Sequence, residues 1–259
     1  MQASPARRIC GGWTHASIAT YRPATTIRSW GATRRCAWAG SRWDGCRRSW
    51  RRACRSSRRI SGRRRRVWCS TRAWPAPANA VVDRAAVAAF GILSQGAHLN
   101  GLVRRADGLH LWIGWRSRHK ALAPGQMDNI VAGGVPAGLS PHDTLLKEAE
   151  EEARMPAALA ARAKPVGRVS YVMDSPGEGL RRDILHCFDI ELPEDFTPEP
   201  GDDEVERFEL WPAARVLEAV RDGDRVKFNV NLVLIDLFLR EGLAEDPDGR
   251  LRQGLDRFR

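Results

Sequence analysis

The leucines of this 259-residue chain, 22 in all, are confined to its C-terminal part. Residues 1–74 contain no Leu or Phe and a single valine, Val67. Without Leu or Phe and with one Val, this segment cannot supply the aliphatic area that a folded core needs. We therefore expect residues 1–80 to be disordered or non-native, residues 81–245 to form one folded domain, and residues 246–259 to be a C-terminal tail.

The sign of the net charge also changes after residue 74. The whole chain carries a formal net charge of +11, which taken alone is typical of nucleic-acid-binding proteins. However, residues 1–74 hold 19 arginines and one acidic residue, Asp44, whereas acidic groups outnumber basic ones in the remainder. Because the part that can fold is acidic, we do not expect nucleic acid to be its partner.

Four hypotheses account for the first segment. An arm that binds single-stranded nucleic acid would use the arginine run 63–66 with Trp68 and Trp74. A transit peptide would explain the excess of Arg over acids, but not the tryptophans and cysteines. A disulfide module would have to pair an odd number of cysteines, namely Cys10, Cys36, Cys46, Cys54 and Cys69. We favour a frameshifted translation, because this composition is what GC-rich codons give in the wrong frame.

Two features bear on the compartment. Cys187 is the only cysteine after residue 74, which predicts a buried, reduced thiol and a cytoplasmic location. No apolar run reaches the roughly 18 residues of a membrane span, so no membrane partner is expected.

Hydrophobic periodicity and turn residues in the acidic part predict an α+β fold or a mixed sheet sandwiched between helices. Strands are predicted at 97–104, 109–115, 126–132, 166–173, 182–190 and 206–210. Helices are predicted at 81–90, 140–154, 212–221 and 229–240. The helix at 140–154 has the clearest start signals, with Ser140 as N-cap, Pro141 at the first position and Asp143 in the first turn.

This helix carries an unusual set of acids. Glu148, Glu151 and Glu152 stand at positions i, i+3 and i+4, so they share one face and repel each other. A solvated acidic surface is the simplest interpretation of such a run. A divalent cation would also remove the repulsion, and Mg²⁺ prefers carboxylate oxygens. Glu150 points elsewhere and is expected to be solvated.

The segment before the helix helps to decide between these interpretations. Gly133, Gly134 and Gly138 lie in a loop between a predicted strand and the helix. Glycines in such a loop let backbone N–H groups approach a phosphate, although a tight turn alone would also use them. The order of strand, glycine-rich loop and three-carboxylate helix is more specific than any one of its parts.

In this order and spacing the residues resemble the Nudix hydrolase family. The residues that stand at the positions of its sequence box are Gly133, Leu139, Lys147, Glu148, Ala149, Glu151, Glu152, Arg154 and Met155. Leu139 replaces the family's upstream Glu, Arg154 its late Gly, and Lys147 its Arg. The runs PGQMDNIVAGGVPAG, FELWP and VKFN are similar to one subgroup, the Nudix domain of thiamine pyrophosphokinase-related proteins.

The resemblance implies an α/β/α sandwich and a metal-dependent pyrophosphohydrolase. Glu148, Glu151 and Glu152 would bind Mg²⁺, with Mn²⁺ as a possible substitute. Glu152 or Glu204 would act as the general base, Glu151 would share in catalysis, and Lys147 would orient the glutamates. The substrate would be a small molecule with a diphosphate, resembling a nucleoside diphosphate or thiamine diphosphate.

Substrate contacts are predicted at Gly133, Gly134, Lys227 and Asn229, although the last could instead cap a helix. Trp112, Trp115 and Trp211 could stack on a flat ring, although Trp112 lies among the apolar residues of a strand and is expected to belong to the core.

Two alternatives keep the same fold. A catalytically weak ligand sensor would explain the departures at Leu139 and Arg154. An isomerase of prenyl diphosphates would need a cysteine facing the substrate, and Cys187 is the candidate.

Overall fold

The computed structural model describes residues 66–69, 80–175 and 177–256. The expectation that residues 1–74 have no core therefore lies almost wholly outside the described residues. The exception is Arg66–Cys69, which forms a strand, β1, paired antiparallel with a second strand, β2, at Ala80–Asp83. The predicted boundary at residue 80 is thus crossed by a two-stranded ladder that the periodicity did not reveal.

Long strands dominate the rest of the described chain. They are β3 (Leu93–Arg105), β4 (Gly108–Arg116), β5 (Met127–Asp128), β6 (Val131–Gly134), β7 (Lys164–Ser175), β8 (Gly179–Glu191) and β9 (Val205–Pro212). The helices are α1 (Val87–Phe90), α2 (Pro141–Ala153), α3 (Ala157–Ala160), α4 (Ala213–Asp222), α5 (Phe228–Arg240) and α6 (Arg250–Gly254). No helix within the described residues has the length and apolar character that a membrane span requires.

The strands from β3 to β9 form one mixed sheet. Its main path runs β5-β4-β3-β8-β7, while β6 pairs with β3 and β9 pairs with β4. The central pair β3 and β8 is parallel, and the other pairs are antiparallel. The mixed sheet expected from the sequence is therefore confirmed.

The two faces of the sheet are covered differently. Alternate residues of β3, including Ala97 and Leu99, join a buried apolar cluster with Leu145 and Ala149 of α2. The residues between them point to the opposite face, where Asn100 bonds Asp189 and Arg240 of α5 bonds the same carboxylate. Helix α2 thus packs on an apolar face. The opposite face combines these polar pairs with buried apolar side chains such as Leu102 and Leu111.

The start of α2 follows the predicted signals. Ser140 is the N-cap, and its Oγ accepts from the Asp143 N–H while the Asp143 carboxylate accepts from the Ser140 N–H. This reciprocal capping box satisfies backbone groups that a helix end leaves open, and Pro141 lacks the N–H that would be wasted there.

Three expectations need correction. No single helix spans the described residues 81–90. The end of β2 is followed by a 3₁₀ turn at Arg84–Ala86 and by the short α1, because the Asp83 side chain caps the turn. The single strand expected at 126–132 is broken into β5 and β6. Within the predicted tail, Leu251 and Leu255 are buried, and the Ser170 N–H donates to the Leu255 carbonyl at 2.7 Å.

Candidate active site

Glu148 of α2 lies directly over strand β6. A Cβ added to Gly133 would stand 2.5 Å from Glu148 Cγ and 3.0 Å from its Oε1. Glu148 is buried, so its carboxylate is held between the helix and the strand. Gly133 is therefore required at this position because any side chain would displace Glu148.

Glu152, one helical turn later, reaches the same strand. Its Oε2 accepts a hydrogen bond from the Ala132 N–H at 3.0 Å, and its side chain is buried. Burial raises the pKa of Glu152 well above its usual range, although the Ala132 N–H opposes the shift. The charges of Asp128, Glu148 and Glu204 raise this pKa further. Glu152 thus lies among like charges where its ionised form is disfavoured.

Glu151 is placed differently from its two neighbours. Its side chain is 46% exposed and pairs with Lys147 one turn earlier. Lys147 Nζ also lies 3.8 Å from Glu148, so this lysine bridges the two acids as predicted for an orienting residue. Glu150 is exposed, in agreement with the expectation that it is solvated. In the part of the chain that the structure describes, no three His, Cys, Asp or Glu side chains are already grouped as metal ligands.

The loop between β8 and β9 packs on the C-terminal end of α2. The Gly201 N–H donates to the Glu152 carbonyl at 3.0 Å, and a Cβ on Gly201 would collide with the Glu151 carbonyl oxygen. This close approach places Glu204 near the helix, where its charge acts on Glu152. Glu204 also pairs with Lys120 at 2.5 Å. The sequence predicted Glu204 as a candidate base, and the fold brings it to the helix carboxylates.

Lys227 does not reach the glutamates. Its Nζ pairs with Asp128 Oδ2 at 2.9 Å, and its side chain is only 12% exposed. Arg116 pairs with the same oxygen at 2.7 Å, so the charges of Lys227 and Arg116 hold the pKa of Asp128 below its usual value despite burial. Contact between Lys227 and a substrate stays a prediction that would require this buried pair to open.

Asn229 lies in the first turn of α5, not at its N-cap, which is Lys227 and makes no side-chain cap. The alternative of Asn229 as a cap is therefore wrong. Its Oδ1 is buried and has no hydrogen-bond partner within the described residues. An oxygen in this state is suited to accept from a ligand, so Asn229 remains a candidate for substrate binding.

A chain of buried polar groups extends from the Lys227 and Asp128 pair. His98 Nδ1 lies 2.9 Å from Asn129 Oδ1, and Asn129 donates to Asn100 at 2.7 Å. Burial and the charge of Lys227 lower the pKa of His98 to about 4, so this ring is neutral at ordinary pH. These contacts fix the sheet face beneath α5 and explain Asp128 and Asn129 as structural hydrogen bonders.

A model of the NUDIX domain matches residues 94–229, a little over half of the chain. The chain belongs to the Nudix family. Nudix hydrolase 20, chloroplastic, of Arabidopsis thaliana is 44% identical over 183 residues, which are 71% of this chain and 49% of that protein. Nudix hydrolase 24, chloroplastic, of the same plant is 44% identical over 202 residues, 75% of this chain and 55% of the relative. The chain therefore spans about half the length of these curated relatives.

The fold is shared with a solved structure. The crystal structure of a Deinococcus radiodurans protein superposes with a TM-score of 0.50 at 20% identity, covering 65% of this chain and 96% of that one. This likeness concerns the fold alone, and it agrees with the sandwich of helices around a mixed sheet.

The two departures from the Nudix box have visible local consequences. Arg154 follows α2 in the left-handed conformation, with a φ of 48°, which glycine adopts without strain. Its Nε donates to the Pro200 carbonyl at 3.3 Å, so the arginine also contacts the loop between β8 and β9. Leu139, in place of the upstream Glu, is partly exposed before the N-cap and provides no ligand oxygen.

Trp115 and Trp211 are not available for ring stacking. Trp115 and Trp211 are buried and contact each other edge to face, with ring centroids 5.9 Å apart. Arg207 covers the Trp115 ring and Arg215 covers the Trp211 ring at 3.5 Å. Trp112 packs against the apolar cluster beneath α2. The prediction that rings stack on a substrate is therefore wrong for Trp115 and Trp211, and the expectation that Trp112 belongs to the core is confirmed.

Cys187 is also inaccessible. It is 1% exposed, and burial raises the pKa of its thiol to about 12. A thiol in this state cannot face the carbon skeleton of a substrate, which removes the residue on which an isomerase would depend.

Sequence reasoning missed a group of polar residues on the α5 side of the sheet. Ser94 and Tyr171 both donate to the Asp183 carboxylate from neighbouring strands, and Phe228 contacts the Tyr171 ring edge to face at 4.9 Å. The register that pairs Ser94 with Asp183 and Asp183 with Tyr171 creates this row. Because Ser94, Tyr171 and Asp183 are not neighbours within one element, no local sequence motif predicts their contact.

Proposed function

We propose that this protein hydrolyses a diphosphate bond in a small molecule in a metal-dependent reaction. The observation that carries the proposal is the burial of Glu148 and Glu152 of the Nudix box against β6, and the charge of Glu204 also acts on Glu152. Membership of the Nudix family and the names of the two Arabidopsis hydrolases support the same reaction class.

The residues fit a divalent cation. Glu148 and Glu152 are buried on one face of α2, and mutual repulsion disfavours their joint ionisation. A hard cation with oxygen ligands would offset that repulsion, which is the chemistry of Mg²⁺. Glu148 and Glu152 would hold it, and Glu151 would join them by leaving Lys147. A bound Mg²⁺ or Mn²⁺ would supply charge neutralisation and lower the pKa of water.

The chain offers two candidates for the general base. Burial raises the pKa of Glu152, so its carboxylate binds a proton more readily than an exposed glutamate, and it is held by the Ala132 N–H. Glu204 lies on a different element and pairs with Lys120, which keeps its carboxylate oriented. If Glu152 is a metal ligand, Glu204 is the carboxylate left to accept a proton.

The substrate class is proposed from the same site. A nucleoside diphosphate or thiamine diphosphate would present its phosphates to the glutamates at the end of β6, where Gly133 and Gly134 lie. Its ring cannot stack on Trp115 or Trp211, which are covered.

One observation favours a sensor as the second candidate. Leu139 removes a carboxylate that the family places before the helix, so the site has fewer oxygen ligands than the complete box. A ligand-binding module with weak catalysis would tolerate that loss. The Arg154 departure does not support this alternative, because the backbone there keeps the left-handed conformation of the family's glycine.

The test is release of phosphate products by the full chain with Mg²⁺, then with Mn²⁺ and with a chelator. The panel contains thiamine diphosphate and its oxidised analogues, ADP-ribose, NADH and oxidised nucleotides. We expect turnover of at least one compound, and a loss of about 100-fold or more in kcat in Glu152→Gln. Glu150→Gln is the matched control, because this glutamate lies on the same helix and is exposed.

The outcomes separate the candidates. Turnover that is lost in Glu152→Gln but kept in Glu150→Gln supports the hydrolase and identifies its substrate class. Binding of a compound without turnover, in folded protein that binds Mg²⁺, supports the sensor. Equal loss in both variants would contradict the assignment of the buried glutamates.

We also propose a cytoplasmic location, because Cys187 is a buried free thiol of the kind found in reducing compartments. Both Arabidopsis relatives are named chloroplastic, and fractionation of expressing cells would decide between the two.

A further inference from the structure

The segment before the residues that match the Nudix model is firmly attached to the domain. Val87 and Ile92 are buried there, and Val82 packs against them. The Ala88 carbonyl lies so close to Gly179 of β8 that a side chain at Gly179 would collide with it. This anchoring fixes the position of the turn at Arg84–Ala86.

Arg84 is the first residue of that turn. Asp83 Oδ1 accepts from the Ala85 N–H at 2.9 Å, so the turn is capped. A Cβ added to Gly134 would lie 2.5 Å from Arg84 Nη1, 2.6 Å from Cζ and 2.7 Å from Nη2. Nearly equal distances to three atoms of the group mean that the guanidinium lies flat over Gly134.

This position is next to the glutamate site. Gly133 and Gly134 are consecutive residues of β6, and side chains of consecutive strand residues point to opposite faces. Glu148 therefore covers one side of the strand end, and Arg84 covers the other. The two α-carbons are about 3.8 Å apart. A single diphosphate at the end of β6 could thus meet the carboxylate site and the guanidinium together.

Charge and access support a ligand role. Arg84 is exposed, so an anion can reach it from solvent. Its charge lowers the pKa of Tyr171, which burial and Asp183 raise more strongly, so Arg84 also lies near the polar row on the α5 side. Gly96 is the strand partner of Gly134, and two facing glycines leave the sheet surface beneath the guanidinium without side chains.

We propose that Arg84, supplied from outside the matched Nudix region, binds the substrate's diphosphate at the phosphate farther from the glutamates. A guanidinium presents its donors in a planar fork that suits phosphate oxygens, and the flat arrangement on Gly134 keeps that fork fixed. The proposal rests on the proposed function and adds to it a residue that determines phosphate affinity. A side chain at Gly134 would displace the guanidinium, so the proposal also gives Gly134 a role.

The test compares the full chain with Arg84→Gln in two measurements. Isothermal titration calorimetry with inorganic pyrophosphate and Mg²⁺ gives the Kd, and steady-state kinetics on the compound turned over in the panel give KM and kcat. Loss of charge-assisted hydrogen bonds to phosphate should weaken Kd and raise KM by about 10- to 100-fold, with a smaller change in kcat. Arg105→Gln is the matched control, an exposed arginine at the far end of β3, and it should change neither value.

A second variant tests the geometry. Gly134→Ala would push the guanidinium away and should raise KM as Arg84→Gln does. In the double variant the two effects should not add, because both act through the same side chain. Additive effects would show that Gly134 acts independently of Arg84.

The failures are distinguishable. If the wild-type chain hydrolyses its substrate while Arg84→Gln keeps the same KM and pyrophosphate Kd, the proposal for Arg84 is overturned and the hydrolase stands. If the wild-type chain neither hydrolyses any compound nor binds pyrophosphate, the proposed function falls and this inference falls with it. Unchanged melting temperature in Arg84→Gln would exclude a merely structural effect on KM.

Discussion

Replacing Gly133 by alanine tests the central contact of the site. The added Cβ would be 2.5 Å from Glu148 Cγ and 2.7 Å from Cδ. Carbon atoms pack at about 3.5–4.0 Å, so the overlap is about 1 Å and Glu148 must move. Gly133 is not among the glycines with left-handed backbone, so alanine meets no backbone strain and the whole effect is steric.

Overpacking of this kind costs about 1–3 kcal/mol. For a domain of this size that corresponds to a fall in Tm of about 2–12 °C. We expect Gly133→Ala to lose this stability in thermal melts followed by circular dichroism, and to lose activity because Glu148 is displaced.

A double-mutant cycle with Glu148→Ala isolates the cause. Without the Glu148 side chain the new methyl group has space, so Gly133→Ala should cost almost nothing in that background. The coupling free energy should then equal the penalty of about 1–3 kcal/mol in the single variant. An equal penalty in both backgrounds would refute the reasoning, because the clash would then lie elsewhere.

Three further variants follow from the structure. Arg154→Gly should raise the free energy of unfolding by about 1 kcal/mol in chemical denaturation, since glycine adopts the left-handed conformation without strain, and a loss would show that the side-chain contact outweighs it. Asp128→Asn should destabilise by about 3–5 kcal/mol by leaving Lys227 and Arg116 buried without their carboxylate, whereas a loss below about 1 kcal/mol would contradict the pairing. The pKa of Glu152 is raised in the folded state, so its protonated carboxyl stabilises the metal-free protein at low pH. This contribution is lost as the pH rises from 4.5, the ordinary pKa of a glutamate, towards the raised pKa of Glu152. Thermal melts across this pH range should show a fall in the stability of the wild-type protein and a smaller fall in Glu152→Gln. Identical stability profiles in the two proteins would contradict the role given to Glu152.

The local signals of α2 were readable from the sequence. Ser140, Pro141 and Asp143 predicted where the helix begins, because capping depends on residues within one turn. The spacing of Glu148 and Glu152 likewise predicted a shared face. It did not predict that Glu151 would turn to Lys147, since both arrangements satisfy the same helical geometry and the choice depends on surrounding charges.

Errors arose where distant segments meet. Trp115 and Trp211 were candidates for ring stacking, but strand pairing between β4 and β9 places them together and arginines cover them. The sequence also contained no sign that Lys227, a candidate for phosphate binding, pairs with Asp128, 99 positions away in the chain. Such pairings are set by sheet register, which a single sequence does not display.

The sequence by itself determined the Nudix box, the capped helix that carries its glutamates, and the strand and helix periods of the domain. These depend on spacing within one element, where backbone geometry relates residue number to direction in space. Only the tertiary structure decided that Glu204 approaches the helix, that Ser94, Asp183 and Tyr171 form one row, and that Arg84 lies over Gly134. Those contacts join segments far apart in the chain, and packing and strand register, rather than local spacing, bring them together.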